Sequence, residues 1–160
     1  MASKRRTSLA PFYEGWSTYQ KHLIASIAPL AAEQLALRST PTLRSIGNLA
    51  AHIIAGRVAW FHINMGEGDP NIRPLVAWDD IDPVQQSAAE LVQGLEATWK
   101  IVHDCLARWT PADLDQTFPS RNYGVQSRQW IIWHVLEHDL HHGGELFLTC
   151  GMHGFPVPDL

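Results

Sequence analysis

With 160 residues, 46% of them apolar, and a formal net charge of −4, the chain has the size and composition of one globular domain spanning residues 1–160. That balance excludes a disordered chain and argues against nucleic acid as the main partner, because phosphate recognition needs a basic face. A chain of this length buries about 70% of its unfolded surface and needs no disulfide to hold it.

Four stretches carry helical periodicity. The first runs from about Leu9 to Leu37, with Phe12, Trp16, Tyr19, Leu23, Ile27 and Leu30 at three- and four-residue steps. Pro29 is expected to kink or end it. The second runs from about Pro41 to Met65 through Ile46, Leu49, Ile53 and Trp60, with Thr40 or Thr42 as cap and Pro41 in the first turn. The run Gly66-Glu67-Gly68-Asp69-Pro70 ends it.

The connection that follows, including Asn71 to Ile81, is longer than a tight turn, and such connections in bundles often cover a site. The third helix is expected to start at Asp82, with Pro83 in the first helical position and Gln85 three residues after the cap. It runs to about Trp109 through Leu91, Leu95, Val102 and Leu106. Thr110-Pro111-Ala112-Asp113 reads as a second cap and a short turn. Residues Gln116 to Gln126 read as a loop or a briefly extended piece. The fourth helix starts near Ser127 and runs to about Cys150. Four amphipathic helices must bury their faces together, so the fold class is all-α, a four-helix bundle with a long connection between helices 2 and 3.

Cys105 and Cys150 share no metal-type spacing and read as small hydrophobes. The N-terminal region lacks the uninterrupted apolar run of a secretory signal, no stretch is long enough to span a bilayer, and a cytoplasmic location is the expectation. Lys4, Arg5 and Arg6 read as a solvated tail.

Nine histidines and seven tryptophans are unusual, and many fall around 52–62 and 130–153. Within the fourth helix, His138 and His142 are four residues apart, so both aim at one point about a turn away. Neutral imidazole is the commonest metal-ligating side chain near neutral pH, and paired His at this spacing grip zinc-like ions. The pair shares its face with Ile131, Val135, Leu146 and Thr149, whereas His134 lies on the neighbouring edge, at the rim.

His52, in the middle of the second helix on a core-like face, is the best third ligand, and Gly56 one turn later leaves room for close approach. His62, near a helix end, and His103 have less reason to point inward. Each histidine taken singly has a plainer reading, as a hydrogen-bonded core residue or an exposed polar one, and spacing alone leaves both readings open. The tryptophans read mainly as core, with Trp78, in the long connection, the best placed to cover a pocket.

Two segments, Ser45-Ile46-Gly47-Asn48-Leu49-Ala50-Ala51-His52-Ile53 and His134-Val135-Leu136-Glu137-His138-Asp139-Leu140-His141-His142-Gly143-Gly144-Glu145-Leu146, resemble the DinB/YfiT-like family of four-helix-bundle metalloproteins. The ending from Gly151 to Leu160 is similar as well. The resemblance implies that His52, His138 and His142 match the family's ligands for nickel, zinc or another divalent transition ion. The sequence departs from the commoner family pattern at Gly143 and Glu145, where Arg and Gln are frequent.

Three imidazoles leave an open position for water or substrate. The family includes transferases and isomerases that use low-molecular-weight thiols, so the resemblance implies metal-activated thiolate attack on a small electrophile, with Glu137, His134 or His141 as base or orienting group. The alternatives are a metal-dependent hydrolase and a non-catalytic metal- or small-molecule-binding bundle with a stress-response or assembly role. A further alternative is an interaction module without metal. The resemblance also implies a homodimer.

Overall fold

Four long helices form in the computed structural model, which describes residues 7–159. Lys4, Arg5, Arg6 and Leu160 lie outside the described residues. The first stripe begins as a 3-10 turn, Ala10–Tyr13, and continues as α1, Glu14–Ile27. Trp16, Tyr19, Leu23 and Ile27 are buried. Phe12 leaves the expected stripe and is 76% exposed, because the tighter turn rotates it off the face that α1 buries. The expected continuation to Leu37 breaks at Pro29, which has no N–H to extend the ladder. Ala28 N–H makes the last four-residue bond, to Ile24 O at 2.9 Å. A single turn, α2 (Ala32–Leu35), then buries Leu35.

α3 starts at Ile46 rather than near Pro41, and Ser45 is its cap: Asn48 N–H donates to Ser45 Oγ at 3.1 Å. Asn48 also donates its side-chain N–H to Ile81 O at 2.7 Å, tying the cap to the far end of the long connection. Thr40 and Thr42 bond to each other instead. α3 (Ile46–Arg57) passes directly into a π-helical stretch, Val58–Asn64.

α4 (Ala88–Arg108) starts later than Asp82. Ser87 caps it reciprocally with Glu90, each side chain meeting the other's backbone N–H at 2.8–3.3 Å. Asp82 cannot serve, because its carboxylate pairs with Arg38. The Thr110 turn forms as expected, with Asp113 Oδ2 accepting from Thr110 N–H at 2.8 Å. The stretch read as a loop or a briefly extended piece is an antiparallel hairpin, β1 (Thr117–Ser120) and β2 (Gly124–Ser127), with Phe118 opposite Gln126. Gly124, at φ +70°, closes its turn. Ser127 caps α5, Arg128–Met152.

The core falls into two apolar clusters. One joins Leu23 and Ile27 of α1 to Ile46 and Leu49 of α3, Leu91 and Leu95 of α4, and Leu146 and Cys150 of α5. The other joins Trp16, Phe61, Val102, Leu106, Ile131 and Val135. The same end of the bundle therefore holds the C-terminal part of α1 and α5 and the N-terminal part of α3 and α4. So α1 and α5 run one way, and α3 and α4 the other. Consecutive parallel helices need a return path along the bundle, which is why the α3–α4 connection is long. It contains an eleven-residue 3-10 helix, Pro70–Asp80.

Between the two clusters lies a buried polar belt. Arg57 donates through Nε to Asp139 Oδ2 at 2.9 Å, and Trp16 donates its indole N–H to the same oxygen at 2.8 Å. Arg57 also donates to Leu95 O at 3.3 Å. This belt joins α1, α3, α4 and α5 at one level. Both cysteines are free and buried. Burial pushes the thiol of Cys105 up to about 12 and that of Cys150 up to about 11, so neither is a ready nucleophile. Among the described residues no helix is long and apolar enough to cross a membrane.

Candidate metal centre

α3 and α5 pack against each other, and His52 projects from the first while His138 and His142 project from successive turns of the second. His52 Nε2 lies 3.1 Å from His142 Nε2 and 3.0 Å from His138 Nε2. Gly56 makes this approach feasible: a Cβ there would stand 2.6 Å from His138 Cε1. Ile131, Val135, Leu146 and Thr149, which share the face of His138 and His142, are all buried.

Two carboxylates orient the rings. His52 Nδ1–H donates to Asp79 Oδ2 at 2.9 Å, and His142 Nδ1–H donates to Glu145 Oε2 at 2.7 Å. A proton held at Nδ1 leaves Nε2 with its lone pair, so both rings present acceptors to the same point. His138 Nδ1 is buried and has no hydrogen-bond partner among the described residues. Burial, with His52 and His142 beside it, pushes His138 down to about 3, and burial also lowers His142 against the opposing pull of Glu145. His138 and His142 thus stay neutral where a free histidine begins to charge.

Three imidazole nitrogens that converge on one point, two of them with the ring proton held at the outer nitrogen, suit a cation. Tetrahedral zinc, with bonds of about 2.0–2.1 Å, separates its nitrogen ligands by roughly 3.3–3.4 Å. The observed 3.0–3.1 Å edges need only a few tenths of an ångström of opening. The residues present therefore fit a divalent transition ion. Asp79 and Glu145 are engaged at the outer nitrogens, so among the described residues three protein atoms, the Nε2 atoms of the trio, face the common point. The side chains of His52 and His142 are 18% and 15% exposed. Arg44, 3.7 Å from Asp79 Oδ1, stands at the rim.

The other histidines are placed as follows. His134 stacks on Trp130, with ring centroids 4.7 Å apart, and also meets Trp60 and Tyr123. Its ring centroid is 6.4 Å from that of His138, at the rim. Burial lowers its pKa. His141 is exposed and reaches Glu145 Oε1 at 3.6 Å, one step removed from His142. Glu137 is exposed and touches none of the three imidazoles. His62 bonds Glu67 O at 2.7 Å at the end of its helix, and His103 is exposed.

Asp79 and Glu145, rather than Glu137, touch the imidazoles. The three-residue spacing of Glu145 from His142 was a readable signal. Asp79 had none, because it meets His52 across 27 residues of chain. Gly143, where Arg is frequent in the DinB-like pattern, has Tyr19 packed against it: an added Cβ would stand 2.4 Å from the Tyr19 hydroxyl.

A model of the DinB superfamily matches residues 13–146. Among solved structures, a DinB-like protein from Bacillus cereus is 20% identical, with a TM-score of 0.72 over 96% of this chain and 97% of that one. A protein described as a candidate DinB-family member from Exiguobacterium sibiricum is 16% identical, with a TM-score of 0.70 over 96% and 97% of the two chains. At these identities the likenesses speak to the fold. No curated protein matches the chain.

Proposed function

The chain belongs to the DinB superfamily, and from that premise we propose that it is a metalloprotein in which His52, His138 and His142 hold one divalent transition ion, nickel or zinc. The observation that carries the reading is the convergence of three Nε2 atoms at 3.0–3.1 Å, two of them set by carboxylates on the outer nitrogens. The proposed activity is thiol-dependent transfer or isomerisation on a small electrophile.

A set of three protein ligands rather than four supports catalysis over a purely structural ion, since structural sites close their shell with protein ligands. When bound, such an ion lowers the pKa of a thiol or water at its open position and so supplies a nucleophile near neutral pH. The chain's own part is orientation. Asp79 and Glu145 hold the imidazoles in the ligating tautomer, and the belt around Arg57 and Asp139 fixes α3 against α5. Arg44, with its side chain 45% exposed, offers a guanidinium to an anionic group of the substrate or thiol.

Elemental mass spectrometry of the purified protein and of His52→Ala, His138→Ala and His142→Ala tests the ion site. About one ion per chain in the wild type, lost in each variant, supports it. A wild type that stays free of metal and refuses added zinc and nickel removes the chemistry. Thiol-transfer assays on the loaded protein then test the reaction.

A further inference from the structure

The 3-10 helix Pro70–Asp80 has a period of three, which puts Ile72, Leu75 and Trp78 in one row. That row faces α4, and with Gly94, Ala97 and Ile101 it lines a cavity of about 810 Å³. This lies within the range of roughly 300–1,000 Å³ typical of small-molecule sites. None of the three imidazoles of the metal centre lines it. The cavity is on the α4 side of the connection, while the adjacent Asp79 turns to His52. Gly94 seats the Trp78 ring: a Cβ there would meet that ring at 2.8 Å.

The wall is unevenly charged. Glu67 pairs with Arg108 at 2.6 Å and Asp104 with Lys100 at 2.5 Å. The carboxylates of Asp69 and Glu90 face no cationic side chain among the described residues and are held by backbone N–H groups of Asn71 and Ser87. Two formal negative charges therefore remain beside an apolar floor that includes an indole ring. Anions are repelled there, and a cation gains from the carboxylates.

We infer that this cavity is a second ligand site, separate from the metal centre, for a small organic cation with an apolar body, such as an aryl-alkyl amine. The amine rests near Glu90, one helical turn from the Gly94 that seats Trp78, and the body lies along the row of Trp78, Leu75 and Ile72.

Titration calorimetry of the full chain at low salt, with phenylpropylamine, phenylpropanol and phenylpropanoate as probes, tests this. The amine is expected to bind roughly threefold or more tighter than the alcohol, and the carboxylate more weakly than either. Ala97→Trp, at an exposed position on the cavity wall, fills the space without disturbing the core and should abolish binding. Glu90→Gln keeps the helix cap and should weaken the amine while leaving the alcohol unchanged. His52→Ala should bind the amine like the wild type, so failure of the metal reading leaves this result standing. Equal binding of amine and carboxylate overturns the inference, as does undiminished binding to Ala97→Trp or no binding at millimolar amine.

Discussion

Gly56 lies against the imidazole of His138, so closely that a Cβ on the glycine would come 2.6 Å from Cε1 and 3.0 Å from Nδ1. Carbon atoms do not approach that closely, so the ring and a side chain at position 56 exclude each other. Gly56→Ala should therefore push His138 off the common point while the helix itself gains about 0.5–1 kcal/mol of intrinsic propensity. The expected outcome is a folded protein with unchanged far-ultraviolet circular dichroism and zinc affinity lowered at least tenfold, read by competition with a chromophoric chelator.

Asp79 reaches His52 from the long connection, and its carboxylate holds the proton on Nδ1. Orienting partners of this kind are typically worth about 10–100-fold in metal affinity. Asp79→Ala should lower zinc affinity by that order. Glu137→Ala, at an exposed position, should leave it unchanged. Equal losses in both variants would overturn the assignment of Asp79.

The ion-free protein should weaken in acid. Burial and its histidine neighbours hold His138 down at about 3, whereas the unfolded chain takes up the proton near pH 6.5. Between those values the unfolded state binds more protons, so stability is full above about pH 6.5 and falls as the pH drops toward 3. One such group contributes a slope of up to about 1.4 kcal/mol per pH unit. Chelator-treated protein followed by urea denaturation from pH 7 to 4 should show this slope, and His138→Phe should flatten it.

The buried belt supplies another test. Asp139 and Arg57 are 0% and 1% exposed, with Arg57 Nη2 at 2.7 Å from Asp139 Oδ2. Removing one partner strands the other charge inside the bundle. Asp139→Ala should cost about 3–5 kcal/mol in denaturant unfolding. The double variant Arg57→Met with Asp139→Leu should recover most of that loss, because it removes both charges and keeps the volume.

Much of the fold was legible from spacing. The stripes of Trp16, Tyr19, Leu23 and Ile27 and of Leu91, Leu95, Val102 and Leu106 are intrahelical patterns, and the structure buries each of these residues. The start of α4 was misread because Asp82 and Ser87 both have cap chemistry. Arg38, forty-four residues before Asp82 in the chain, engages the Asp82 carboxylate and leaves the cap to Ser87. Gln116 to Gln126 carries no alternating apolar pattern, and the short hairpin shows mostly exposed and half-buried residues that leave no such trace.

By itself the sequence determined what depends on one helix at a time: four amphipathic faces, and two imidazoles four residues apart that must share a side of α5. Those follow from the fixed pitch of the α-helix. Tertiary structure alone decided what lies across the chain. It set the parallel run of α3 and α4, the approach of His52 to His138 over Gly56, the turn of Asp79 onto His52, and the meeting of Arg57 with Asp139. These contacts depend on loop path and helix crossing, which no local periodicity encodes, and they are settled only when burial of all four faces and the polar belt is satisfied at once.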